Sequence, residues 1–277
     1  MSATDPMEPS KLIIGIESCV KYEQRHDAVR ETWLKDCTRL GVRAYFLVGR
    51  PGQRSEIQGD FLYLDCGDAY LDLPHKTIAF LRFVEEHLDY NYVYKCDDDT
   101  YVNLEVLLKL MIEPYDYCGH QYKIKSVNTE WHKKHVDPHS PNQPYPGTFL
   151  GPWMTGGSGY FLSKRALRCV INEYNKFIDK EFYEDKLIGD IMRTNNMPSL
   201  VIPLLKEVLV FDILFLRSIL NRELPNYASF HPCSPRQIVL LHQRRYGLLL
   251  IIFFFKYILL KTKDLCQSLR KIGKNDR

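Results

Sequence analysis

The chain has 277 residues, a formal net charge of +3 and a hydrophobic fraction of 45%. This length allows one large domain, alone or with an appendage, and the composition is that of a globular chain rather than a disordered one. The small net charge gives no reason to expect nucleic acid as a partner.

The beginning of the chain carries no recognisable targeting segment. Residues 1–10 are polar, and we expect them to be disordered. The first apolar run, "LIIGI", has five residues, which is too short for a signal-peptide core or a membrane anchor. The eight cysteines are an even number that could form disulfide bridges, but Cys19, Cys66 and Cys96 lie at or near the ends of predicted strands, as ordinary buried thiols do. There is no Asn-x-Ser/Thr sequon. These features favour a reducing, cytosolic setting.

Strands and helices alternate along the first hundred residues. Residues 11–18 predict a buried strand, followed by one helix whose apolar residues recur at a spacing near 3.6. Residues 42–49 and 61–67 predict two more strands, and a second amphipathic helix precedes a strand at 92–96. This alternation predicts an α/β fold with a mainly parallel, doubly wound sheet flanked by helices.

Three consecutive aspartates, Asp97, Asp98 and Asp99, follow the strand at 92–96. Adjacent carboxylates repel one another unless a cation is near, so a divalent metal is one interpretation. A turn, or an N-cap for a following helix, is the other. An EF-hand loop is excluded, because Tyr101 stands where a third ligand is required. Ligands bind at the carboxyl ends of parallel strands, and this position favours a site.

The next segment, 124–153, is polar and proline-rich and predicts a long loop of the kind used as a lid or binding element. Its three histidines lack supporting cysteine or acidic ligands, so solvated histidines are favoured over a zinc site. They are His132, His135 and His139.

Two shorter stretches after the loop carry glycines and acids. Gly156 and Gly157 allow the backbone to approach a ligand closely, and Ser163 is a suitable cap for the next helix. Glu184 and Asp185 open a further helix, where acids complement the helix dipole.

Five segments, read in order, resemble a single family. They are "RHDAVRETW" (25–33), "HKT" (75–77), "YKCDDDTYVN" (94–103), "GGSGYFLS" (156–163) and "YEDKLIG" (183–189). The set resembles the inverting β-1,3-glycosyltransferases, which include the β-1,3-galactosyltransferases, Fringe and the core 1 O-glycan galactosyltransferases. The resemblance covers about residues 11–204 and implies a Rossmann-like GT-A nucleotide-sugar transferase domain, which we expect to span residues 11–240.

The resemblance also implies a reaction. A metal-dependent inverting transferase would move a hexose or N-acetylhexosamine, with galactose favoured, from a UDP-sugar to a hydroxyl of a glycan or glycoprotein, in β-1,3 linkage. Mn²⁺ or Mg²⁺ would neutralise the departing diphosphate. The alternative is a non-catalytic protein that binds sugar or nucleotide. A metal-dependent phosphatase is a third class, disfavoured because Tyr101 replaces the threonine that the aspartyl-phosphatase pattern needs.

The resemblance assigns roles to individual residues. The metal ligands would be Asp97, Asp99 and His231, with His242 as the substitute for His231. Asp185 would be the general base. The groups expected to contact the nucleotide-sugar are Arg25, Arg30, Lys76, Asp97, Asp98, Gly156 and Gly157.

The last segment, 241–277, is apolar and then basic, and we expect it to be a membrane-associating tail. The apolar stretch 247–260 would span about 21 Å as a helix, less than the roughly 30 Å of a bilayer core. Interfacial attachment is therefore favoured, with a helix packed on the core as the alternative, and the basic flank favours the cytoplasmic leaflet. Family resemblance makes the Golgi the alternative location.

Overall fold

The computed structural model describes residues 7–121, 125–127, 147–207 and 227–245. Eleven strands lie in these ranges: β1 Leu12–Glu17, β2 Arg43–Gly49, β3 Glu56–Gln58, β4 Phe61–Leu64, β5 Tyr92–Asp97, β6 Tyr101–Val102, β7 Tyr117–Gly119, β8 Tyr160–Ser163, β9 Ser199–Val201, β10 Leu205–Glu207 and β11 Ser229–His231. The main sheet has eight strands, in the order β3-β4-β2-β1-β5-β8-β7-β9, and β10, β11 and β6 form a second sheet.

The centre of the main sheet is parallel. β4, β2, β1 and β5 all run in the same direction, and β8 then adds to β5 in the antiparallel sense. Glu17 is paired with Asp97 in this register, so β1 and β5 end at the same level. The predicted α/β class with a mainly parallel sheet is confirmed. Asp97, the first of the three aspartates, lies at the carboxyl edge of this sheet.

Seven α-helices accompany the strands in the described ranges. They are α1 Glu23–Glu31, α2 Trp33–Leu40, α3 Leu73–His87, α4 Leu104–Leu107, α5 Lys164–Glu173, α6 Glu184–Thr194 and α7 Pro235–Arg245. The described ranges also contain four short 3-10 turns, Pro9–Lys11, Tyr70–Asp72, Tyr174–Lys176 and Ile178–Lys180. Ser163 caps α5 as predicted, because its hydroxyl accepts a hydrogen bond from the Ala166 N–H at 3.1 Å.

The first predicted helix differs from the observed structure. The sequence predicts one continuous helix, but Thr32 has φ −118° and ψ −110° and separates α1 from α2. Its hydroxyl donates to the carbonyl of Ala28 at 2.6 Å, a local bond of the kind that competes with regular helix geometry. The apolar face is kept, since Val29, Trp33 and Cys37 are all buried.

Apolar side chains cover both faces of the sheet. Leu12, Ile14 and Ile16 of β1 pack into one core cluster, whereas Ile13, between them, packs into another on the opposite face. This is the two-residue alternation of a strand buried on both sides. Burial on both faces fixes the register of β1 and β5, and with it the position of the residues at their carboxyl ends.

Both ends of the expected domain, residues 11 and 240, lie within helical segments. Residue 11 is in the 3-10 turn of residues 9–11, and residue 240 is inside α7. The three loop histidines at 132, 135 and 139 and the apolar stretch 247–260 lie outside the described residues. Within the described part of the chain, none of the helices has both the length and the apolar character needed to cross a membrane. The seven cysteines in that part are free thiols.

Candidate active site

The outer aspartates and a histidine meet at the end of β5. β11 runs antiparallel to β6, pairing Phe230 with Tyr101, and this brings His231 beside the aspartate segment. His231 Nε2 lies 3.2 Å from Asp99 Oδ1 and 3.9 Å from Asp97 Oδ2. One ligand atom from each of the three side chains lies within 4.8 Å of the other two. The structure therefore brings together Asp97, Asp99 and His231.

The donor set of this cluster suits a hard divalent cation. Two carboxylates and an imidazole are plausible ligands for Mn²⁺. Asp97 is 36% exposed at its side chain, so the cluster is open to solvent on one side. Gly157 lies directly against the imidazole, and a Cβ there would be 2.2 Å from His231 Cε1. A glycine is required at this position for the histidine ring to reach the aspartates.

Asp98, the middle aspartate, turns inward. Only 2% of this residue is exposed, and it accepts hydrogen bonds from Ser18 Oγ and the Arg25 guanidinium, both at 2.6 Å. The Ser18 hydroxyl is also 2.7 Å from His26 Nε2. Burial raises the pKa of Asp98 to about 6, against the opposing effects of Ser18 and Arg25. Asp98 thus anchors the turn from which its two neighbours extend towards His231.

The three basic residues expected at the nucleotide have different surroundings. Arg25 lies 3.4 Å from Asp99 Oδ2, so it contacts the acid cluster. Arg30 donates two hydrogen bonds to Asp60, at 2.6 and 3.0 Å, away from that cluster. Lys76 is almost completely buried. Its amino group contacts the Ser18 carbonyl, Asp68 and Glu17, at 2.7, 2.7 and 3.1 Å.

His242 is not part of the cluster. It lies on α7, where its Nδ1 is 3.9 Å from Asp36 Oδ2. His231, rather than His242, is the histidine beside the aspartates.

Asp185 lies in the first turn of α6. The Gly156 N–H donates to its Oδ2 at 3.1 Å, and the Lys186 N–H donates to its Oδ1 at 2.8 Å. Burial and the adjacent Glu184 raise the pKa of Asp185 to about 7, although the Gly156 N–H, Lys95 and Trp153 act to lower it. A carboxyl with a pKa near neutrality is suited to take up and release a proton at physiological pH.

Lys95 connects the two groups of acids. Its Nζ lies 2.8 Å from Glu184 Oε2 and 3.1 Å from Asp97 Oδ1. The hydroxyl of Tyr160 donates to the other oxygen of Glu184. Burial acts to raise the pKa of Asp97, but Lys95 and His231 outweigh it and the pKa is lowered. Asp97 is therefore held in the anionic form that a metal ligand needs.

The comparison with known protein families gives a direct match. Residues 24–199 match the family model described as galactosyltransferase. The chain belongs to the galactosyltransferase family. Together with the observed sheet, this membership agrees with the Rossmann-like GT-A fold expected from the five sequence segments.

Several curated galactosyltransferases are similar to this family member. Beta-1,3-galactosyltransferase 6 of Mus musculus is 34% identical over an alignment of 120 residues, and the match covers 38% of this chain and 37% of that protein. Hydroxyproline O-galactosyltransferase GALT6 of Arabidopsis thaliana is 26% identical over an alignment of 261 residues, and the match covers 85% of this chain and 35% of that protein. The chain thus spans little more than a third of the length of these two relatives.

Among solved structures, a glycosyltransferase involved in the glycosylation of the major capsid of PBCV-1 is similar, with a TM-score of 0.48 and 14% sequence identity. The match covers 84% of this chain and 98% of that one.

The site of this galactosyltransferase-family chain carries a surplus of negative charge. Seven carboxyl groups and three cationic side chains form the network of charges around it. The carboxyl groups are Glu17, Asp68, Asp97, Asp98, Asp99, Glu184 and Asp185, and the cations are Arg25, Lys76 and Lys95. Such a surplus favours binding of a further cation beside the carboxylates.

Four residues of this network, Glu17, Asp68, Lys95 and Glu184, are given no site role by the sequence analysis. Lys95 lies within the strand predicted at 92–96, and Glu184 is assigned only to the helix dipole. The signal was present, because a charged residue between Tyr94 and Cys96 in a buried strand needs a buried partner of opposite charge.

Proposed function

We propose that this chain transfers galactose from a UDP-sugar to a hydroxyl of a glycan or glycoprotein, with inversion at the anomeric carbon and formation of a β-1,3 linkage. The observation that carries the proposal is the meeting of two acid groups at one edge of the sheet. Asp97 and Asp99 face His231, and Asp185 is joined to them through Glu184 and Lys95.

A divalent metal, Mn²⁺ or Mg²⁺, would be held by Asp97, Asp99 and His231. When bound, the ion would neutralise charge on the diphosphate that leaves the sugar. The Arg25 side chain is 37% exposed beside Asp99, and its guanidinium group can donate hydrogen bonds to phosphate oxygens on the open side of the site. The roles of Arg30, Lys76, Asp98, Gly156 and Gly157 towards the nucleotide-sugar remain predictions.

Asp185 would accept the proton of the acceptor hydroxyl. The Gly156 and Lys186 N–H groups fix the orientation of its carboxylate, one on each oxygen. Attack by the deprotonating hydroxyl on the face opposite the departing diphosphate inverts the anomeric centre in a single displacement. An α-linked donor would therefore give a β-glycoside.

The test is turnover of UDP-galactose, UDP-GlcNAc and UDP-GalNAc with Mn²⁺ and a panel of acceptor glycans. UDP release measures the rate, and proton NMR of the product gives the anomeric configuration and the linked position. We expect UDP-galactose to be used and the product to be β-1,3-linked. Mn²⁺-dependent binding of UDP by calorimetry, with no turnover over the whole panel, would instead identify a non-catalytic binding protein.

We also propose that residues 247–260, with the basic residues that follow, contact a membrane surface, with the cytoplasmic leaflet favoured and the Golgi as the alternative location. The support is the sequence pattern alone, because the segment lies outside the described residues. Co-sedimentation with vesicles of phosphatidylserine and phosphatidylcholine, compared with vesicles of phosphatidylcholine alone, tests it. Stronger binding to the anionic vesicles, lost on removal of 247–277, is the expected result, and equal recovery in all supernatants contradicts it.

A further inference from the structure

We propose that Lys95 is a positioning residue that holds the metal-binding half and the proton-accepting half of the site in one network. The names of the two halves rest on the proposed function. The contacts of Lys95 are independent of it.

Strand geometry places Lys95 where it can reach both halves. Lys95 and Asp97 are two residues apart on β5, so their side chains point to the same face of the sheet. The ammonium group contacts Asp97 at 3.1 Å and Glu184 at 2.8 Å. Glu184 lies 89 residues further along the chain, at the start of α6. One buried cation thus connects the strand that ends in the aspartates with the helix that carries Asp185.

Gly156 completes the connection. A Cβ at this position would lie 2.9 Å from Glu184 Oε2, 3.2 Å from Asp185 Cβ and 3.4 Å from Lys95 Nζ. A glycine lets the peptide fit between these three side chains without displacing the Glu184 carboxylate, while its N–H donates to Asp185. A continuous series of contacts therefore runs from Asp97 through Lys95 and Glu184 to the environment of Asp185.

Burying a lysine at this position costs free energy, and removing it would leave the buried Glu184 carboxylate without a cationic partner. Lys95 and Glu184 also act on Asp185 in opposite directions, since the cation lowers its pKa and the neighbouring anion raises it. The titratable, charged and hydrogen-bonding groups that face Asp185 are Glu184, Lys95, Tyr117, Tyr160, Trp153 and the N–H groups of Gly156 and Lys186. Of these groups, Lys95 and Glu184 are the two charged side chains, and each can be replaced by a neutral side chain of similar volume.

The experiment is a titration of the Asp185 carboxyl by carbon-13 NMR in the full chain without metal. Asp185→Asn assigns the signal by removing it. In the unsubstituted protein we expect a midpoint at about 7. Lys95→Met should raise the midpoint by about one pH unit, and Glu184→Gln should lower it by about one unit. Lys95→Arg, which keeps the charge, should return it most of the way to the original value.

Lys186→Met is the matched control for burial. Lys186 is 1% exposed and its ammonium also contacts two carboxylates, those of Glu181 and Asp190, at 2.7 and 2.5 Å. Its loss should destabilise the fold without moving the Asp185 midpoint. If Lys95→Met alone does not fold, the double variant Lys95→Met/Glu184→Gln is compared with Glu184→Gln, and the added lysine change must raise the midpoint.

The proposal is overturned if the Lys95 and Glu184 variants leave the midpoint unchanged, if both move it in the same direction, or if Lys186→Met moves it as far as Lys95→Met does. The acidic limb of the pH–rate profile, measured with UDP-galactose and Mn²⁺, should shift in step with the NMR midpoints. An unsubstituted chain that turns over none of the donors would refute the proposed function, whereas the NMR titration decides the role of Lys95 without any turnover.

Discussion

Lys95 and Lys186 are both almost completely buried, and each contacts two carboxylates, but their surroundings differ. The partners of Lys186 lie five residues before it and four residues after it, in and next to the same helix. Lys95 instead joins a strand end to a helix 89 residues away. The first arrangement ties α6 to the segment that precedes it, whereas the second connects two elements at the carboxyl edge of the sheet.

The charge balance of the two regions also differs. Around Lys186, the carboxyls of Glu181 and Asp190 are matched by Lys186 itself and by Arg193, which acts to lower the pKa of Asp190. At the edge of β5 the carboxyls outnumber the cations. Buried ion pairs alone therefore do not distinguish the candidate site in this protein. What distinguishes it is an excess of carboxyl groups over cations, partly open to solvent, at the carboxyl end of a parallel strand.

Of the changes that test this difference between the two regions, Asp185→Asn should have the largest effect, and that effect is on activity. The amide keeps the shape of the side chain and cannot accept the proton, so kcat should fall by about 10² to 10⁴-fold. Binding of UDP with Mn²⁺ should be retained, and calorimetry checks it. Turnover within a few-fold of the unsubstituted protein would show that Asp185 is not the base.

Lys186→Met should act on stability instead. Removing one partner from a buried group of charges costs about 3–5 kcal/mol, measurable as a lower midpoint in urea unfolding. The folded fraction should keep its metal affinity, because neither Glu181 nor Asp190 belongs to the acid cluster. Loss of Mn²⁺ binding in folded Lys186→Met would remove the distinction between the two regions.

Gly157→Ala should weaken the metal site while leaving its ligands in place. The added methyl group would overlap the His231 ring, which must move away from the aspartates. We expect a loss of about 10 to 100-fold in Mn²⁺ affinity by calorimetry, typical of changes next to a metal ligand. Gly52→Ala is the control, since Gly52 has φ +75° and no atoms near its Cβ position, so only backbone strain is added. Equal affinity in both variants would argue against His231 as a ligand.

The smallest effect concerns stability and pH. The pKa of Asp185 is raised to about 7 in the folded chain, against 3.8 for an ordinary aspartate. Between these values the folded chain holds a proton that the unfolded chain has lost, so stability falls as pH rises and is constant above pH 7. Compared with Asp185→Asn, the unsubstituted protein should lose at most about 1.4 kcal/mol for each pH unit across this window. A difference that stays constant from pH 4 to pH 8 would contradict the raised pKa.

Regular patterns made much of the fold predictable. The strand predicted at 11–18 and the second amphipathic helix are confirmed as β1 and α3. The apolar run of the first is too short for a helix, and the apolar residues of the second recur at a helical spacing. The break at Thr32 was not predictable, since it depends on one hydroxyl bonding to the Ala28 carbonyl.

The place of the candidate site at one edge of the sheet could also be predicted, but its internal contacts could not. The rule that ligands bind at the carboxyl ends of parallel strands located the aspartates. Sequence spacing could not show that Asp98 turns inward to Ser18, since all three aspartates look alike in the sequence. It also could not show that Lys95 and Glu184 meet, because that contact depends on how α6 packs against the sheet.

The most direct test of the account is a calorimetric titration of Mn²⁺ into the unsubstituted protein, Asp99→Ala and Asp185→Asn, each in the presence of UDP. Asp99 is assigned to metal binding and Asp185 to proton transfer, so the two variants should separate. The account predicts one Mn²⁺ bound by the unsubstituted protein and by Asp185→Asn, and a loss of binding in folded Asp99→Ala. Equal Mn²⁺ binding by all three proteins would contradict the assignment of the acid cluster as a metal site.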